Sequence, residues 1–266
     1  MRLLHISDLH AGSVEETAVE RSLEPLIARV SPELIAVTGD LAHRGRRREH
    51  ERAAAFLRGL GRPLLVIPGN HDIPYTFPAR FTRPWAEFER QWETVEPVFR
   101  SEGLVVVGLN SVRPWRHQGG RLSSARLARA AETLRDAAAG SLRVVALHHH
   151  LAGAPWRASR KFPLQHRDRA LASLAAAGAE LVLGGHIHQT VVTTRPEFEA
   201  LDASADTVVL ATAPGLGRPR PHRAGEAQGA MVYEWDDRSL TALTYVLEGG
   251  RFGEIARREF PRRRSE

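Results

Sequence analysis

The chain has 266 residues, 42% of them hydrophobic and 26% charged, with a net charge of +6 from 37 basic and 31 acidic side chains. That balance is ordinary for a soluble globular protein with material for a substantial core. There is no cysteine, which excludes disulfides and thiolate ligands and leaves His, Asp, Glu and Asn to bind any metal.

No run approaches the roughly 18 apolar residues that span a bilayer. The start, "MRLLHISDLH", lacks an apolar stretch followed by a small-residue cleavage site, so no signal peptide is expected. With the missing cysteines, this makes the cytoplasm the expected location. The basic residues are almost all arginine, Lys161 being the only lysine. The runs 43–52 ("HRGRRREHER") and 261–266 ("PRRRSE") could attract phosphates or nucleic acid. Compositional bias favours reading them as a solvated helix start and a frayed tail.

In chain order, apolar β-branched runs alternate with helical periodicity. Strand 2–7 precedes a helix over 19–30; strand 33–39 precedes a helix over 47–60; strand 63–69 follows. Later come strand 103–110, helix 123–139, strand 142–148, helix 166–178 and strand 179–185. Near-continuous apolar strands between helices predict a layered α/β fold with both sheet faces covered. The last third lacks helices: strands over 206–213, 230–237, 239–247 and 254–260, with Gly249-Gly250 as a hairpin turn, predict a second, mostly antiparallel sheet packed on the first within one domain. Segment 73–99, rich in Pro and aromatics, breaks the alternation and reads as an excursion with one helix over 85–93. It either shapes a pocket rim or packs aromatics over a sheet edge.

Residues able to bind metal stand at the C-terminal ends of five strands. These are Asp8 and His10, then Asp40, then Asn70, His71 and Asp72, then His148, His149 and His150, and last His186 and His188. Any one alone has a structural explanation as a cap or turn residue. In open α/β sheets, however, ligands bind beyond the carboxyl ends of the strands, where five polar tips would converge. Strand alternation would send His186 and His188 in similar directions, with Ile187 turned away. Hard oxygen ligands mixed with imidazoles suit Mn²⁺, Fe or Zn²⁺. The set is too large for one ion and fits two. A shared carboxylate such as Asp40 could bridge a pair about 3.5–4 Å apart, the arrangement that activates water and clamps a phosphoryl group.

Asp8-Leu9-His10, Gly39-Asp40, Gly69-Asn70-His71-Asp72, His148 and Gly185-His186-Ile187-His188, in that order, resemble the calcineurin-like metallophosphoesterases from residue 2 to about 215. The resemblance implies a four-layer αββα sandwich of two packed mixed sheets flanked by helices. It also implies that Asp8, His10 and His188 hold one metal and Asn70, His148 and His186 a second, with Asp40 bridging. His71 would be the general acid or transition-state stabiliser, fixed by Asp72. His149 and His150 are extra to the motif.

Stretches 108–134 and 146–150 look most like the bacterial class III cyclic-nucleotide phosphodiesterase-like branch, which implies a small phosphodiester or nucleotide substrate. Asn110, His149, Trp156, Arg218 and Arg223 are the candidate substrate contacts, and loop 215–229 a candidate rim. A DNA nuclease of the same superfamily would use the basic surface, so nucleic acid is an alternative partner. A nucleotide-lipid pyrophosphatase would need an apolar cap, for which 73–99 is the candidate. A non-catalytic scaffold on this fold would be expected to lack several ligands, whereas here all are retained.

Overall fold

The computed structural model describes residues 1–12, 16–153, 161–201, 207–217 and 227–262. The N-terminal part is β1 (Arg2–Ile6), α1 (Glu16–Val30), β2 (Leu34–Val37), α2 (Arg47–Gly59) and β3 (Leu64–Val66). The excursion follows, with α3 (Ala79–Thr82) and α4 (Ala86–Trp92). Next come β4 (Val98–Arg100), β5 (Leu104–Leu109), α5 (Ser124–Arg135), β6 (Leu142–Leu147), α6 (Arg167–Ala176) and β7 (Leu181–Gly184). The chain finishes with β8 (Val191–Thr194), α7 (Arg195–Glu199), β9 (Val209–Thr212), β10 (Gly229–Trp235), β11 (Ser239–Glu248) and β12 (Arg251–Pro261).

Two six-stranded mixed sheets result, in the orders β12-β11-β10-β1-β2-β3 and β4-β5-β6-β7-β9-β8. Each parallel strand is buried on both faces, and successive residues feed different layers. Leu3, Leu34 and Leu65 meet Leu104, Leu142 and Leu181 between the sheets. Their neighbours Leu4, Ile35 and Val66 pack on Leu23 and Leu26 of α1 and Leu57 of α2. On the far side Val145 and Leu147 pack under Leu127 of α5 and Leu171 of α6. Helix, sheet, sheet, helix is the expected four-layer order.

One expectation is corrected. Segment 206–260 does not form the second sheet. β10, β11 and β12 extend the N-terminal sheet, β10 running antiparallel to β1 with Leu3 opposite Tyr233. β9 instead joins the sheet of β4 to β8, parallel to β7. The physical reason is edge pairing: without β10, β1 would have β2 as its one neighbour, and its other edge needs a partner for its N–H and C=O groups. The turn at Gly249 and Gly250 is as expected, both with positive φ (55° and 79°) between the paired Glu248 and Arg251.

Candidate metal centre

Because β1, β2 and β3 run parallel, and β5, β6 and β7 likewise, the strand tips of each sheet end on one edge. The two edges are tied together. His148 Nδ1, just past β6, lies 2.7 Å from the Thr38 carbonyl past β2. The His186 N–H, past β7, donates to Asp8 Oδ2 at 2.9 Å.

Two groups of ligand atoms gather there. In the first, His188 Nε2 is 3.0 Å from Asp8 Oδ1 and 3.2 Å from His10 Nε2. In the second, His148 Nε2 is 3.1 Å from Asn70 Oδ1 and 3.2 Å from His186 Nδ1. Asp40 faces both: Oδ2 is 3.7 Å from His10 Nε2, and Oδ1 is 3.4 Å from His148 Nε2. Thus Asp8, His10 and His188 form one compact set, and Asp40, His148 and His186 another.

The backbone is built around these atoms. Among the described residues nine non-glycine positions have positive φ, and five of them are Asp8, His10, Asp40, His186 and His188. Such conformations cost on the order of 1 kcal/mol each and cluster where function requires a particular side-chain direction. They also revise the local account of the last pair. His186 and His188 lie beyond β7 in left-handed turns, so turn geometry rather than strand alternation sends them to different sets. Gly39, with φ 89°, passes so close to Gly69 that an added Cβ would lie 2.5 Å from its nitrogen.

Asp8, Asp40, Asn70, His148 and His186 are all essentially inaccessible, so unpaired charge here is costly unless a cation or proton compensates it. Burial, the largest influence, pushes the Asp8 and Asp40 carboxyls up, but His188 and His148 respectively outweigh it and hold them well below the usual range. Burial drives His10 and His186 well below their ordinary value, leaving neutral imidazoles with lone pairs to offer. At His148 burial is opposed and overcome by Asp40, raising it to about 9. Asp40 Oδ2 and His186 Nε2 have no hydrogen-bond partner. Asp8 Oδ2, by contrast, accepts from Ser7 Oγ at 2.6 Å and from the His186 N–H, which turns Oδ1 toward the first set. Imidazoles and ionised carboxylates gathered in this way are donors that could hold divalent metal ions.

His71 lies beside the sets, its ring centroid 4.8 Å from that of His10 and its N–H donating to Asp40 Oδ1 at 2.8 Å. The expected partnership with Asp72 is corrected. The Asp72 carboxylate accepts from the Ala42 and Gly69 N–H groups at 2.8 and 2.7 Å. His71 Nδ1 is instead 2.8 Å from both the His43 carbonyl and the Tyr75 hydroxyl. Adjacent residues on a tight turn point apart, so Asp72 braces the loops while a carbonyl and a phenol orient the imidazole.

Of the remaining expected residues, Asn110 is buried, its Oδ1 accepting from the Val112 N–H, with Nδ2 unpartnered. His149 is held through Nδ1 by Ser111 Oγ at 2.8 Å, with Nε2 unpartnered. His150 has neither ring nitrogen hydrogen-bonded, its ring stacks 5.9 Å from that of His186, and burial lowers it to about 3. Trp156, Arg218 and Arg223 lie outside the described residues, as does most of loop 215–229. Two residues were missed. His43 clusters with His10 and His71, and Lys161 donates to the His186 carbonyl. Its standing as the only lysine in an arginine-rich chain was the available signal for Lys161. His43 carried none, sitting in a run that reads as solvated.

Fold and site together put a candidate metal centre on an αββα sandwich, and comparison with known proteins shows the family. The calcineurin-like phosphoesterase family model matches residues 1–190, and the chain belongs to that family. It is 32% identical over 133 residues to a probable cyclic nucleotide phosphodiesterase of Rhodopseudomonas palustris, covering 48% of this chain and 47% of that protein. It is 35% identical over 94 residues to the glycerophosphodiester phosphodiesterase GpdQ of Enterobacter lignolyticus, covering 32% and 34%. The chain therefore spans about a third to a half of the length of the curated relatives it matches. Among solved structures, a purple acid phosphatase from yellow lupin seeds superposes with TM-score 0.72 at 10% identity, over 98% of this chain and 54% of that one. A dimetal phosphatase from Danio rerio superposes with TM-score 0.66 at 13% identity over 98% of each chain. These last two likenesses concern the fold.

Proposed function

We propose that this chain is a metal-dependent phosphodiesterase acting on a small phosphodiester, with a cyclic nucleotide among the candidate substrates. The observation that carries this reading is the pair of ligand sets sharing Asp40. Asp8, His10 and His188 would hold one ion, Asn70, His148 and His186 the other, with Asp40 between them; Mn²⁺, Fe and Zn²⁺ suit these donors. When bound, such ions would supply an activated water and neutralise the phosphoryl oxygens.

The chain's own residues do the rest. Ser7 and the His186 N–H fix Asp8, and the Thr38 carbonyl fixes the His148 ring. With Nδ1 of His71 donating to the His43 carbonyl, the imidazolium form of His71 would offer its Nε2 proton to the departing ester oxygen. The unpartnered buried donors Asn110 Nδ2 and His149 Nε2 support the expectation that both face a bound group. Arg218 remains a proposed contact from the rim.

We read residues 1–266 as one domain, since β9 to β12 complete both sheets beyond the matched 190 residues. No helix among the described residues is long and apolar enough to cross a membrane, and a cysteine-free chain fits a reducing cytoplasm. The test is hydrolysis of bis-p-nitrophenyl phosphate against p-nitrophenyl phosphate with Mn²⁺. Preferential cleavage of the diester, abolished by EDTA and restored by metal, is expected. No metal-dependent cleavage of either would overturn the reading.

A further inference from the structure

Beside the metal centre stands an aromatic ledge that the chemistry above leaves unexplained. Its inner end is Tyr75, whose hydroxyl lies 2.8 Å from His71 Nδ1 and 3.4 Å from His117 Nε2. Its outer end is a stacked pair, Phe81 and Trp115, with ring centroids 4.4 Å apart and planes 18° apart. Phe77 leans on Phe81 at 6.4 Å. These rings face solvent: Phe77 is 83% and Trp115 74% exposed. Exposure is not their only course, because elsewhere in the excursion Phe88 is fully buried and Trp92 packs against the core. The excursion thus divides, 85–95 covering the sheet and 73–83 presenting rings.

The ledge is also braced. Arg80 Nε donates to the Pro114 carbonyl at 2.7 Å and Nη1 to the Pro74 carbonyl at 3.2 Å. One guanidinium therefore ties the 73–83 segment to the 113–117 loop and fixes the two halves of the surface relative to each other. Bracing keeps the rings presented before any ligand arrives, which lowers the ordering cost of binding. It also sets the Arg80 guanidinium 6.0 Å from the Tyr75 ring centroid.

We propose that Tyr75, Phe77, Phe81 and Trp115 form a subsite for a planar aromatic ring of nucleobase size on the substrate, next to the ester oxygen that His71 faces. This rests on the phosphodiesterase reading of the metal centre and narrows its substrate class to diesters of nucleosides or similar aryl-bearing alcohols. Three features favour a ring over an alkyl chain. The stacked pair offers a flat π-face, and stacking on such a face accepts any base. Tyr75 and His117 add polar atoms at its inner end, and the ledge is continuous with His71 through the Tyr75 hydrogen bond.

The test compares two ligands that share a phosphate and a ribose. Adenosine 5′-monophosphate and ribose 5-phosphate would be titrated by calorimetry into the Mn²⁺-loaded full chain, its Trp115→Ala variant and its Trp115→Phe variant. The nucleotide is expected to bind the unmodified protein roughly tenfold or more tighter than the sugar phosphate. Trp115→Ala should erase most of that advantage, with the sugar phosphate affinity held, and Trp115→Phe should restore part of it. Equal affinities in the unmodified protein, or an advantage that survives Trp115→Ala, would overturn the proposal. So would binding of phosphatidylglycerol vesicles that is lost in Trp115→Ala with no base preference, which would assign the ledge to a lipid surface. Failure of metal-dependent diester cleavage with the base preference intact would instead strike the phosphodiesterase reading and leave the ledge standing.

Discussion

At the scale of the residue, each donor's environment decides its role. His71 has its ring held at Nδ1 and its backbone on Asp40. His71→Ala is expected to reduce kcat about 10²- to 10⁴-fold with both metals retained; loss of metal by elemental analysis would make His71 a ligand. Asp40 is different. Its two oxygens face the two sets, so Asp40→Ala should lower metal content in both, whereas Asp8→Ala should empty chiefly the first. Asp72 accepts two buried N–H groups, and leaving both unsatisfied costs about 2–5 kcal/mol. Asp72→Ala should therefore lower Tm strongly and cut kcat far less than His71→Ala; equal effects on kcat would restore Asp72 as the residue that orients His71. The residue types and strand-end positions of the candidate site were legible in the chain. The partner of His71 was not, because neighbours in sequence point apart on a turn and the true partner, a carbonyl, has no side-chain identity to read.

At the scale of the element, glycines set how closely loops can approach. A Cβ on Gly185 would lie 2.7 Å from Asp8 Oδ2 and collide with Ser7 Oγ. Gly185→Ala should displace Asp8, and we expect metal loss from the set of Asp8, His10 and His188 together with a lower Tm, read by elemental analysis and thermal denaturation. Helices with a clear apolar period were legible to within a few residues: 47–60 became α2 (Arg47–Gly59) and 166–178 became α6 (Arg167–Ala176). The short edge strands β4 and β8 and the short helices α3 and α7 were not. Elements of three to five residues carry too few positions for a period to show and are held by tertiary pairing.

At the scale of the whole molecule, the centre couples folding to metal and proton. Asp8 and Asp40 are buried carboxylates, so removing metal with EDTA should destabilise the fold. A ligand at a hundred times its Kd contributes about 2.7 kcal/mol, which would appear as a lower Tm. In the stripped protein Asp40 raises His148 against the effect of burial, from 6.5 to about 9. A folded value above the unfolded one stabilises fully below pH 6.5 and is lost as pH rises through 9. The Tm of the EDTA-treated protein should therefore fall across that window. The Mn²⁺-loaded protein, in which the ion takes the proton's place, should show a smaller fall; identical slopes would mean that His148 is not a ligand.

The chain alone carried the alternation of strands and helices and the five polar strand ends from which a metal-binding phosphoesterase was expected, since periodicity and residue type are local properties. Tertiary structure alone decided which strands neighbour which. β10 to β12 sit beside β1 rather than form a sheet of their own, because an unpaired strand edge takes whichever partner the packing brings to it. It likewise decided that His43 and Lys161 stand at the centre. Positions far apart in the chain meet there only through close loop approaches and left-handed turns, which no spacing in the sequence encodes.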